Sequence, residues 1–299
     1  MRWSDMEKSL GQLNPTLLLQ AFLSFAFLFI LSVGVLASAF EFSFLWLIPL
    51  MLIETLVVYL MFTPLHDGVH FQISKKRLIN EAALLFAWPI LLGSPFLFRK
   101  IHLHHHSHVN EPAEDPDHFT ASNQLWKSFF KSFFLIFFYH WFFLKKTRGL
   151  KDLAHFSLSI LIPFFIINIC WLLKDSIGLA LFMIWVLPPF FAYGILSFTN
   201  AAWPHHPAQE TDRFKNTRNT YVPWVVQALM MNQNLHLIHH LKPNMPWYEY
   251  PEYLRQHEAE LKRQGVQTLN YTKRPEAYSM IPDWASKVYS QIRDFQNLW

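Results

Sequence analysis

Four long apolar runs constrain the fold of this chain more than any other feature. They lie at about 16–39, 42–63, 153–173 and 177–198. A helix needs roughly 20 predominantly apolar residues to cross the hydrocarbon core of a bilayer, so each run predicts a transmembrane helix. Charged residues make up only 15% of the chain, which excludes an ordinary soluble domain. Because short connections join the runs in pairs, we predict an all-α integral membrane protein with two helical hairpins.

The distribution of lysine and arginine predicts how these hairpins are oriented. If both enter the bilayer from the same side, Lys174 alone lies on the far side, and the other 24 of the 25 lysines and arginines lie on the near side. Cytoplasmic loops carry the excess of positive charge, so the near side and both termini are predicted to be cytoplasmic. We expect one domain, 1–299, with a cytoplasmic cap of residues 64–152 and 199–299, in a bacterial inner membrane.

Three further segments are predicted to be helical without spanning the membrane. The apolar segment 81–98 is interrupted by two prolines and a glycine, which suits a re-entrant or interfacial segment. Segment 128–144 is rich in aromatic residues but contains a lysine and a histidine, as expected for a helix that lies in the membrane interface. Segment 252–264 is largely polar and predicts a helix on the protein surface.

Histidine is the second unusual feature, because the chain contains 16 and most of them are clustered. One pair has the spacing H-x3-H, and two groups have the spacing H-x2-H-H. Residues three and four apart share one face of a helix, so each group can direct its imidazoles to one point. The predicted topology places four groups on the cytoplasmic side: His66 and His70; His102, His105 and His106; His205 and His206; His236, His239 and His240.

This pattern predicts a dinuclear transition-metal site. Neutral imidazole is a good ligand for Zn, Cu, Fe and Ni, and a single zinc ion takes only three or four protein ligands. Two metal ions with four or five nitrogens each would use the matched positions, although spacing alone does not choose the metal. The alternative is a polar, histidine-rich surface tract that binds metal weakly. His104 and His108 are expected to face away from the metals.

Three aspartates are candidates for hydrogen bonding to the metal ligands: Asp67, Asp115 and Asp117. A ligating histidine normally donates its other N–H to a carboxylate or a carbonyl, which fixes its tautomer. The alternative for Asp115-Pro116-Asp117 is a simple turn, since aspartate and proline both favour turns. The sequence leaves both interpretations open.

The order of the histidine motifs across two membrane hairpins resembles the membrane fatty acid desaturase superfamily. Within it, the segments HLHHHSHVNEPAEDPDHF, PHHPAQETDRFKNTR and QNLHLIHHLKPNMPWYEY resemble the β-carotene hydroxylase branch, and the likeness extends from about residue 60 to 255. The resemblance implies a non-haem di-iron centre that activates O2. It also implies nine iron ligands: His66, His70, His102, His105, His106, His205, His236, His239 and His240. His206 is the alternative to His205, and the extra His104 leaves the register of the second motif open.

The resemblance further implies an O2-dependent oxidoreductase that holds two iron ions and acts on a lipophilic substrate from the bilayer. The favoured reaction is hydroxylation of the β-ionone ring of β-carotene. The alternative is a fatty acyl or lipid desaturase, which introduces a C=C bond. A third hypothesis, a metal-binding membrane transporter, would place ionisable residues along the spans, and only Glu54 lies in the middle of one.

The electrons for such a reaction are expected to come from a separate protein. The single cysteine, Cys170, cannot hold an iron–sulfur cluster, which needs about four, and no glycine-rich fingerprint indicates a nucleotide-binding domain. We expect an external donor such as a ferredoxin, attracted by the cytoplasmic excess of lysine and arginine. Alternatively, this charge binds anionic lipid headgroups. No nucleic-acid partner is expected.

Overall fold

Helices dominate the structure, and four of them correspond to the apolar runs of the sequence. The computed structural model describes residues 14–40, 44–146, 149–173 and 175–270. Lys174, both chain termini and the last part of the predicted cap lie outside the described residues. The elements in chain order are α1 (Pro15–Ala39), α2 (Leu47–Val69), α3 (Arg77–Leu91), α4 (Pro95–Ser107), α5 (Leu125–Ser132), α6 (Leu135–Lys146), α7 (Leu150–Leu173), α8 (Ser176–Ala202), β1 (Arg218–Tyr221), α9 (Trp224–Leu229), α10 (His236–Leu241), α11 (Tyr250–Arg263) and β2 (Gln267–Asn270).

Helices α1, α2, α7 and α8 are each long and apolar enough to cross a membrane. The prediction of a mostly helical protein with four spans is confirmed. Helix α2 continues through Pro64 to Val69, beyond the predicted end at residue 63. A proline inside a helix removes one backbone hydrogen bond, but every residue from Met61 to Val69 is buried, and this packing keeps the helix continuous. The extension carries His66 into the protein interior.

One apolar core holds α1, α2, α3 and α8 together, whereas α7 lies at the periphery. On α7 only Ser159 and Cys170 are buried, so nearly all of its surface is available to lipid. A transmembrane helix tolerates this exposure because its side chains are apolar on all sides. The core side chains that interlock the other helices include Leu23, Phe27, Val58, Met61, Leu84 and Ile184.

Helices α3 and α4 form a sharply bent pair, at an angle of 108°. Leu92 ends α3 in the left-handed conformation, and the Ser94 side chain caps the start of α4, a position that favours serine. Gly93 leaves room for Tyr193 of α8, whose hydroxyl donates to the carbonyl of Leu91 (2.9 Å). A Cβ at Gly93 would lie 2.7 Å from that hydroxyl. The predicted re-entrant or interfacial segment thus directs α4 and its histidines into the protein.

Aromatic helices and a small sheet complete the cap. The segment 128–144, predicted as one interfacial helix, is divided between α5 and α6. Strand β1 pairs in parallel with β2, with Arg218 opposite Gln267; within the described residues, this sheet is the one addition to the predicted helical architecture. The predicted surface helix is α11, whose Tyr250 is fully buried beside Ile238. This packing supports α10, which has only six residues.

Gly178 allows α7 and α8 to approach closely at the end of the second hairpin. A Cβ at this position would collide with the carbonyl oxygen of Cys170, whereas a Cβ at Gly149 would meet nothing within 4 Å. Gly178→Ala should therefore push the helices apart and lower the stability by about 1–3 kcal/mol, the usual cost of overpacking. The measurement is the Tm of the detergent-solubilised protein, with Gly149→Ala as the matched control. Equal Tm values for both variants and the wild type would contradict this packing.

Candidate metal centre

Four chain segments bring the predicted ligands to one place. The last turn of α2 carries His66, and His70 follows at the end of the helix. Helix α4, helix α10 and the loop after α8 contribute the other seven. The structure gathers all nine side chains into two adjoining groups: His66, His70, His102, His106 and His239 in the first, and His105, His205, His236 and His240 in the second.

The first group surrounds the end of α2. The Nε2 atom of His239 lies 3.1 Å from Nε2 of His66 and 2.8 Å from Nε2 of His106. The Nε2 atom of His102 lies 3.0 Å from that of His70 and 3.1 Å from that of His106. Two neighbouring ligands on one metal ion, each bonded at about 2.1 Å and about 90° apart as in octahedral coordination, have nitrogens about 3 Å apart. These imidazoles are therefore spaced as ligands of a shared metal ion.

The second group lies between α4, α10 and the loop after α8. The Nε2 atoms of His236 and His240 lie 3.1 Å apart. One nitrogen each from His105, His205 and His240 lies within 4.8 Å of the others. The two groups meet at His106 and His240, whose rings stack with their centroids 4.4 Å apart. The arrangement thus has two adjoining centres.

Two histidines of the second group show most clearly that these residues fit a metal ion. Their Nδ1 atoms are engaged elsewhere, at 2.7 Å from Asp115 for His105 and at 3.2 Å from the Asn216 carbonyl for His205. Within the described part of the chain, the Nε2 atoms of both are buried without a hydrogen-bond partner, which costs about 1–3 kcal/mol each if nothing binds them. Burial lowers the pKa of His205 to about 3, so its ring stays neutral, the form that binds metals.

Asp115 orients His105. Its carboxylate accepts from His105 Nδ1 (2.7 Å) and from the backbone amides of Asn110 (2.7 Å) and Asp117 (2.8 Å). The turn and the histidine contact, which the sequence left as alternatives, therefore occur together. Burial alone would raise the pKa of Asp115, but His105 and the Asn110 amide hold that pKa below its usual value. The ionised carboxylate keeps the proton of His105 on Nδ1 and directs Nε2 inward.

The other two predicted aspartates have different surroundings. Asp117 has a carboxylate oxygen 3.7 Å from His105 Nδ1 and accepts a hydrogen bond from the Tyr139 hydroxyl. Asp67 accepts from the hydroxyl of Thr16 (2.7 Å) and makes no hydrogen bond to a described histidine. Asp67 thus joins α2 to α1 instead of supporting a ligand directly.

Two contacts to the predicted ligands escape the sequence analysis. The Tyr250 hydroxyl lies 3.2 Å from His239 Nδ1, and the carbonyl of Asn216 lies 3.2 Å from His205 Nδ1. Tyr250 belongs to the NMPWYEY segment, where the only available signal is the family likeness. A backbone carbonyl leaves no signal in a sequence at all.

The structure also places the alternative residues. His205 is buried against His105 and His236, whereas His206 is partly exposed and belongs to neither group. His104 lies on the outer face of α4, where its ring stacks on His108. The inward-facing histidines of the second motif are therefore 102, 105 and 106.

An apolar cavity adjoins the two groups. Its walls come from α2, α4, α6 and α8, and four of the clustered histidines (His66, His102, His105 and His236) contribute to its lining. A mostly apolar pocket with a few polar groups suits an apolar small molecule. The apolar side chains along it include Phe62, Leu65, Leu97, Phe98, Ile136 and Leu196.

The chain matches the family described as Fatty acid desaturase over residues 56–271. This region covers most of the chain and contains every histidine of the two groups. The chain belongs to the fatty acid desaturase family. It is therefore a membrane oxidoreductase, its histidine clusters are consistent with a di-iron site, and the family implies O2 and a lipid substrate. No curated protein matches the chain.

His239 is the residue whose removal should damage the site most, because its Nε2 atom lies close to both His66 and His106. His239→Ala should lower the bound iron by at least about one equivalent, since an open ligand position weakens the shell, and should abolish product formation. Elemental analysis of the purified protein measures the iron. His206→Ala is the control and should keep its iron. Full activity in His239→Ala would refute the assignment.

Asp115→Asn should weaken iron binding without removing a ligand. The amide keeps a similar shape but loses the charge that orients His105, and the loss of such a hydrogen-bond partner typically costs 10–100-fold in metal affinity, so a change of about that size is expected. Competition with a chelator measures it. Glu111→Gln, an exposed change in the same loop, is the control. Identical chelation curves for the two variants would show that Asp115 does not support the site.

Proposed function

We propose that this desaturase-family protein is an O2-dependent hydroxylase of carotenoids that acts on the β-ionone ring. The observation that carries the proposal is the cavity beside the histidine groups, which has an aromatic lining. Phe62, Phe98, Tyr139 and Tyr193 contribute to its walls, and aromatic side chains pack well against a flat, conjugated molecule. The motifs that resemble β-carotene hydroxylases support the same substrate.

We assign one iron ion to each histidine group. The first group offers five imidazoles and the second offers four, and His106 and His240 lie where the groups meet. Asp115 and Asp117 support the second group through His105, whereas Asp67 acts through helix packing. Because the nine residues come from four segments of the chain, loading with iron should also stabilise the fold.

Iron at these positions would supply the activation of O2, with electrons from outside the protein. The chain itself has two tasks. The apolar walls of the cavity exclude water from the reaction, and they hold one C–H bond of the substrate next to the metal centre. Hydroxylation and desaturation differ in where the substrate carbon lies, and shifts of about 1 Å are decisive at this scale.

A fatty acyl desaturase is the second candidate. The family match favours it, and an apolar cavity also accepts an acyl chain. Both candidates use the same iron ligands and the same route from the bilayer. They differ in the product, and this makes product analysis the deciding experiment.

We further propose that the histidine groups face the cytoplasm and that an acidic donor such as a ferredoxin docks on this side. The excess of lysine and arginine outside the spans supports both ideas. Described examples on the cap are Lys100, Lys145, Lys146 and Lys242. The same charge can bind anionic lipid headgroups. In this proposal the chain is a single domain in a bacterial inner membrane.

The substrate is tested by expressing the chain in a bacterial host that makes β-carotene. Pigments and fatty acid methyl esters are analysed from the same culture, with His239→Ala as the inactive control. Hydroxylated β-rings with unchanged fatty acids are expected. New double bonds in the acyl chains with unchanged pigments would overturn the carotenoid proposal and establish a lipid desaturase.

A further inference from the structure

A second set of metal-type ligands lies on the outer face of α4, apart from the nine histidines. His104 and His108 stand four residues apart, and their ring centroids are 4.2 Å apart. Glu114 approaches them from the loop that follows α4. One ligand atom from each of the three lies within 4.8 Å of the others. We call His104, His108 and Glu114 the outer cluster.

His108 already has the tautomer that a metal requires. Its Nδ1 atom lies 3.1 Å from the carbonyl oxygen of His104, which can only accept a hydrogen bond, so Nδ1 carries the proton. The lone pair is then on Nε2. Histidine ligands of metals typically donate their other N–H to a carbonyl or carboxylate in this way.

His104 and Glu114 have the separation of two ligands on one ion. The Nε2 atom of His104 lies 3.3 Å from Oε2 of Glu114, and two tetrahedral ligands bonded at about 2.1 Å have donor atoms about 3.4 Å apart. The Nε2 atom of His104 is shielded from solvent, and the Glu114 carboxylate is its polar neighbour among the described residues. A cation between the two side chains would bind both the ring nitrogen and the carboxylate oxygen.

We propose that the outer cluster binds one zinc ion through His104, His108 and Glu114. Two imidazoles and one carboxylate are a common zinc ligand set, with water in the fourth position. All three side chains are partly exposed, so an ion and its water can reach them. This site would be separate from the iron positions, and the proposal does not depend on which substrate the enzyme oxidises.

The bound ion would fasten the loop after α4 to the helix. Glu114 directly precedes Asp115, whose carboxylate accepts from His105 Nδ1 at 2.7 Å. A metal that holds Glu114 against His104 therefore also holds Asp115 in place. We infer a structural role, in which the outer ion stabilises the orientation of a residue in the iron site.

Lys146 competes with the metal for the same carboxylate. Its Nζ atom lies 2.6 Å from Oε2 of Glu114. If the outer cluster is a metal site, Lys146→Met should tighten zinc binding, because it removes the competing positive charge. If the three side chains form only an ion-pair network with Lys146, this variant gains no zinc.

The test uses purified, iron-loaded protein in detergent, dialysed against a micromolar zinc solution and analysed for both metals. The wild type should retain one equivalent of zinc with its iron content unchanged. His108→Ala and Glu114→Gln should bind zinc at least about tenfold more weakly. Removing a hydrogen-bond partner of a ligand typically costs about 10–100-fold in metal affinity, and removing the ligand itself should cost no less. His257→Ala, on α11, is the matched control and should retain the zinc. A lower Tm without zinc, in the wild type but not in the two variants, would support the structural role.

Three results would each overturn the proposal. The first is that both ligand variants bind zinc as tightly as the wild type does. The second is that the wild type retains no zinc. The third is that zinc is gained only as iron is lost. The last result would place the zinc in the nine-histidine site. Far-UV circular dichroism shows whether a variant is folded. Two ligand variants are used, one in α4 and one in the loop, so that the test stands if one of them fails to fold.

Discussion

The convergence of nine imidazoles in a buried site is the constraint on which the rest of this structure depends. Ring nitrogens about 3 Å apart, such as those of His66 and His239, repel each other when protonated. When neutral, they leave buried lone pairs unsatisfied, which is costly in a protein interior. Metal ions relieve both difficulties at once. The fold must therefore hold the rings in place until metal ions bind, and the architecture around them can be understood in these terms.

Each histidine-bearing segment is held by contacts that an isolated peptide would lack. Helix α2 continues past Pro64 because its last turns are completely buried. The bend between α3 and α4 is secured by Tyr193 from α8. The short helix α10 lies against α11, which contributes both apolar packing and the hydroxyl of Tyr250. In each case a contact distant in sequence supports a local element that carries ligands.

The apolar cavity joins this metal chemistry to the membrane. Its walls include α2 and α8, which are membrane spans, and its lining includes four of the clustered histidines. The same side chains that would contact a lipophilic substrate also keep water away from the metal centre. The location of the ligands at the end of a span fits the proposed function, in which an apolar substrate would reach the metal centre from the lipid.

Local patterns in the sequence were enough to determine the four spans and the three histidine motifs, because hydropathy and helical periodicity depend on near neighbours. The extra His104 left the register of the second motif open in the sequence, and the structure decided it in favour of His102, His105 and His106. Tertiary structure decided the rest. His205 instead of His206 points into the histidine cluster because of the loop that places it beside Asn216. Asp67 pairs with Thr16, 51 residues away, and β1 pairs with the distant β2. His66 and His239 are 173 residues apart in the chain, so only the packing of α2 against α10 could show that they meet.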